Sequence, residues 1–96
     1  MKAIMVIYAQ PLENEIMDSF KNLGIKQFTK FPYLLGQGGH SEPHLDTQTW
    51  PGANSGLLVL ADEAKVSIIM KAMKEIKSKN IEEGLRAFIM PLEESI

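Results

Sequence analysis

The sequence predicts an α+β fold, a four-stranded, mainly antiparallel sheet with two helices on one face. Two observations carry this. Two segments show apolar residues at three- and four-residue steps, the period of an amphipathic helix. Four short runs rich in isoleucine, valine, leucine and phenylalanine surround them as strands. The order is strand, helix, strand, strand, helix, strand, which is the ferredoxin-like βαββαβ arrangement.

The first run, Lys2 to Tyr8, is almost continuously apolar and reads as a strand in the core. Pro11 suits the first turn of a helix, where its missing N–H costs nothing. Leu12, Ile16, Phe20 and Leu23 then form one apolar stripe. Glu13, Glu15 and Asp18 lie early in that helix and Lys21 late, as the helix dipole favours. Gly24 is a natural terminator.

Lys26 to Leu35 predicts the second strand, with Pro32 marking an edge position, a bulge or an early end to pairing. Ser55 to Ala61 predicts the third. Asp62 is placed to cap the second helix, whose apolar face carries Val66, Ile69, Met70, Met73 and Ile76. Lys71, Lys74 and Lys77 fall on its wet side, and Glu75 and Lys79 have the spacing of a helical ion pair. Leu85 to Met90 is the fourth strand, closed by Pro91.

Composition narrows the function classes. Ninety-six residues suit a single domain over 1–96, and 45% hydrophobic with 23% charged residues is globular composition. A net charge of −2 offers no basic face for nucleic acid. The absence of cysteine removes disulfides and thiolate chemistry and fits a reducing compartment. No apolar run reaches membrane-spanning length, and the N-terminus lacks a signal-peptide pattern, so the expected location is cytoplasmic.

The 36–55 segment, GQGGHSEPHLDTQTWPGANS, has neither helical nor strand period and holds both histidines and the only tryptophan. A connection this long in so small a domain points to function. His40, Glu42, His44 and Asp46 alternate, so in an extended segment they would share one side and suit zinc, copper or nickel; a solvated polar loop is the plainer reading. Gly36, Gly38 and Gly39 would let backbone amides approach an anion, or simply supply freedom. Trp50, Pro51 and Gly52 spell a turn that holds a large ring, with Asn54 following as a cap or a ligand contact. No nucleophile is paired by motif with a histidine, and the segment after the first strand, Tyr8 to Pro11, lacks the arginine of an acylphosphatase. The sequence therefore argues against an enzyme.

The opening Met1-Lys2-Ala3-Ile4, the long second connection, Trp50 to Ser55, and the ending Glu83 to Glu94 together resemble the P-II-like signalling proteins. The likeness is greatest to the divergent branch found with heavy-metal efflux systems of the resistance-nodulation-division type. It implies a homotrimer that binds a small effector in the clefts between subunits. It also implies a 36–55 T-loop that reports to a partner, such as a membrane transporter, without inserting into the membrane. The family's glycine-rich nucleotide signature is reduced here to Gly84, with Arg86 where its phosphate-binding lysine would lie. A divalent metal ion or a small anion is thus the expected effector, and the reduced signature weighs against an adenine nucleotide. The competing reading is a metal-tolerance trimer of the CutA type, which needs no transporter.

Overall fold

The structure, a computed structural model, describes residues 1–36 and 54–96. Strand β1 (Lys2–Ala9) leads through a single 3-10 turn (Gln10–Leu12) into helix α1 (Glu13–Asn22). Strands β2 (Thr29–Leu34) and β3 (Asn54–Ala61) follow, then helix α2 (Glu63–Lys79) and strand β4 (Leu85–Pro91). The sheet order is β2-β3-β1-β4, and every pairing is antiparallel. The predicted βαββαβ fold is the observed one.

Pleat alternation divides the sheet into two unlike faces. Ile4, Val6 and Tyr8 of β1, Leu57 and Val59 of β3 and Leu85 of β4 are buried beneath the helices. They meet Ile16 and Phe20 of α1 and Val66, Ile69, Met73 and Ile76 of α2 in one core. On the opposite face, register aligns Met5 with Leu58 and Phe88, and Ala3 with Leu60 and Met90. No element of the described residues covers that face, and Leu60 is 48% exposed.

Local chemistry explains where the elements stop. Gly24, at φ +76°, takes the left-handed conformation that ends α1. Its N–H donates to the Lys21 carbonyl at 3.1 Å, and the Ile25 N–H donates to Phe20 at 2.9 Å, the paired bonds of a Schellman closure. Asp62 caps α2 as expected, accepting from the Lys65 N–H at 2.8 Å. At the other end, Asn80 donates from its side chain to the Ile76 carbonyl at 2.8 Å.

Four expectations need correction. Pro11 lies in the 3-10 turn, and α1 begins at Glu13. Leu23 leaves the apolar stripe as the C-cap and is exposed, because the chain has already begun its turn there. Strand β2 starts at Thr29, not Lys26, because Ile25 closes the helix and Phe28 packs edge-on against Phe20 at 5.8 Å. Lys79 pairs with Glu15 of α1 at 3.4 Å, where the spacing had suggested Glu75. Pro32 does mark both an edge strand and an irregularity: the β2–β3 register shifts between Phe31 and Leu34. That shift leaves one extra residue on β2, a bulge.

Candidate functional site

One end of the sheet gathers the described site candidates. Ala9 pairs with Asn54 on one side, and its N–H donates to the Gly84 carbonyl at 2.9 Å on the other. Ile7 sits between Gly56 and Arg86 in the same way. Leu34 pairs with Asn54, so Gly36 leaves the sheet at this end too. Gly36, Asn54, Gly84 and Arg86, far apart in sequence, therefore share one rim of the fold. Gly38, Gly39, His40, Glu42, His44, Asp46, Trp50, Pro51 and Gly52 lie outside the described residues. Among the described residues no cluster of three metal-ligating side chains occurs.

Beneath this rim lie two polar networks that the sequence reading missed. Among the described residues, Ser55 is the buried polar residue of the core region, with no exposed surface. Its hydroxyl accepts from Gln10 Nε2 at 2.8 Å and donates to the Pro32 carbonyl at 3.1 Å. It thereby ties the β1–α1 turn to the β2 bulge. The second network joins Tyr8, Glu13 and Lys30. The Tyr8 hydroxyl donates to Glu13 Oε1 at 2.5 Å, and the Lys30 ammonium donates to Glu13 Oε2. A serine inside the apolar run SGLLVLA was the available signal for the first. Nothing local could signal the second, whose members come from three elements.

Electrostatics fixes the protonation of this second network. Burial pushes the Tyr8 phenol far above its ordinary range; its bond to Glu13 and that carboxylate's charge add to the rise, while Ser55 opposes it. The phenol stays neutral and donates. Burial also pushes Glu13 upward, but bonds from Lys30 and Tyr8 and the Lys30 charge outweigh it and hold the carboxyl below its usual range.

Arg86 stands exposed at the rim with its guanidinium 5.5 Å from the Phe88 ring centroid. Among the described residues it forms no ion pair. Gly84, just before it, has no atom within 4 Å of where a Cβ would stand, so the backbone is open to approach. Along the outer edge of β4, a groove of about 290 Å³ separates that strand from α2. Met70, Met73, Lys74 and Lys77 line its helical wall, and residues of β4 from Leu85 to Phe88 line the other.

The family model described as nitrogen regulatory protein P-II matches residues 1–96. A PII-like signalling protein of Thermus thermophilus is similar in structure, with a TM-score of 0.64 and 22% identity over 92% of this chain and 82% of that one. CPII of Thiomonas intermedia K12, in a structure bound to ADP, AMP and acetate, gives a TM-score of 0.69 and 16% identity, covering 93% of this chain and 82% of that chain. A second CPII structure, bound to ADP, AMP and bicarbonate, gives 0.65 and 15%, covering 99% and 94%. No curated protein matches the chain. The likeness to these structures reaches the fold, and the match to the family model reaches further: the chain belongs to the nitrogen regulatory protein P-II family.

Proposed function

We propose that the chain is a P-II-like regulatory protein, not an enzyme. A small effector binds at the sheet end where Gly36, Asn54, Gly84 and Arg86 meet, and the 36–55 segment passes the bound state to a partner. The observation that carries this is Arg86, an exposed cation without an ion-pair partner among the described residues, next to the open backbone at Gly84. Guanidinium is suited to carboxylate and phosphate, which it can hold through two parallel bonds. The effector would act by binding one state of the 36–55 segment better than another, since equal affinity shifts nothing.

The effector class that Arg86 favours is an anion. CPII is bound to ADP and AMP, with bicarbonate or acetate, in the two structures compared above. That supports returning adenine nucleotides to the candidates, although the signature here retains only Gly84 and Arg86. A divalent ion held by His40, Glu42, His44 and Asp46 is the second candidate, through residues outside those described.

The whole chain acts as one P-II-like domain, and three copies assemble. Support comes from the uncovered apolar sheet face, since exposed apolar area of this kind marks a protein interface. A metal-efflux transporter as partner rests on the sequence resemblance. Isothermal titration of ADP, AMP, bicarbonate and zinc tests the site. Binding of an anion that weakens on Arg86→Ala is expected; anion binding indifferent to that change, or none, overturns the assignment.

A further inference from the structure

The groove between α2 and β4 has a chemistry of its own. Everything its side chains offer is either apolar or cationic: Met70, Ala87 and Phe88 supply apolar surface with the buried Met73 and Leu85 behind them, while Lys74, Lys77 and Arg86 supply the cationic groups. Among the described residues, no carboxylate, amide or hydroxyl side chain lines it. Lys77 donates to the Leu85 carbonyl at 2.6 Å, which fixes its ammonium at the groove wall and leaves it further donors. That bond also shows that Leu85 turns its backbone polar groups away from β1. By the alternation of an antiparallel ladder, Ala87 turns its N–H outward as well, along a sheet edge with no strand of the described residues beyond it. Lys74, Lys77 and the Ala87 N–H are thus all donors on one concave surface with an apolar floor.

We propose that this groove binds a soluble amphipathic anion: an apolar body, of the size of a medium-chain acyl group, bearing one carboxylate or phosphate head. The head sits between the two ammonium groups and the Ala87 amide, and the body lies on Met70 and Phe88, above the buried Met73. A nucleoside fits less well, because its base and ribose hydroxyls would meet no acceptor or amide side chain here. A volume of about 290 Å³ holds a ligand of the proposed size. The site lies on the α2 side of β4 and does not depend on the effector reading above, although Arg86 borders both.

The test is titration of the full chain, methyl-labelled at methionine, with octanoate, octyl phosphate and octanol, read by NMR. Saturable shifts of the Met70 methyl, and smaller ones of the Met73 methyl beneath it, are expected with one or both anions and not with octanol; the anion that binds more tightly identifies the head group. Lys74 is exposed and holds no other element in place, so Lys74→Gln leaves the fold intact. It should weaken anion binding roughly two- to fivefold, the worth of one solvent-exposed charge pair. The proposal is overturned if octanol shifts the same methyls as strongly, if Lys74→Gln keeps full affinity, or if neither anion gives a saturable shift.

Discussion

Ser55 and Gln10, 45 residues apart, are joined by a 2.8 Å hydrogen bond at the base of the 36–55 segment. Because Ser55 also donates to Pro32, one buried hydroxyl holds the β1–α1 turn, the β2 bulge and the start of β3 together. Ser55→Ala leaves the Gln10 amide and the Pro32 carbonyl without this partner. The expected loss is about 1–3 kcal/mol, visible as a lower urea midpoint. A midpoint within error of the parent would show that the network does not hold this end of the fold.

The Tyr8–Glu13–Lys30 network predicts a stability profile with two limbs. The folded Tyr8 has its pKa raised above the unfolded value of 10.0, so its contribution is whole below pH 10 and is lost as pH rises beyond it. Tyr8→Phe should flatten the alkaline limb. Glu13 is depressed from 4.5, so its contribution is present above that pH and is lost as pH falls through the lower folded value. Glu13→Gln should flatten the acid limb, and denaturant midpoints measured across pH check both.

Two glycines should respond differently to alanine. Gly24 lies at φ +76°, where a side chain is strained, so Gly24→Ala should cost about 1 kcal/mol or more. Gly84 is neither left-handed nor crowded, so Gly84→Ala should leave thermal stability unchanged. That makes Gly84→Ala a clean probe of effector binding.

Leu58 lies mid-sheet on the uncovered face, paired with Met5 on one side and Thr29 on the other. Leu58→Arg should leave each protomer folded, because its side chain is not among the buried core. It should break the assembly, because an unpaired charge would be buried between subunits. Sedimentation velocity with circular dichroism separates these outcomes; an unchanged sedimentation coefficient would remove this face from the interface.

Much of the fold was legible because its signals are local. Asp62 and Gly24 act within one turn of their helices, and Pro32 disturbs pairing at its own position. What escaped is tertiary. The late start of β2 follows from Ile25 and Phe28 being engaged by α1, and Lys79 finds Glu15 because the helices lie side by side. Gly84, Arg86 and Asn54 could be singled out separately, but only strand register shows that Asn54 and Gly84 flank the same residue, Ala9. The Ser55 and Tyr8 networks connect residues too distant for any periodicity to link.

Native mass spectrometry, with ADP, AMP, bicarbonate and zinc added singly to the parent chain and to Arg86→Ala, tests the central claim most directly. The account predicts a trimer that takes up one anionic effector per subunit and loses most of that uptake in the variant. A monomer, or a trimer whose anion uptake is untouched by Arg86→Ala, would contradict it.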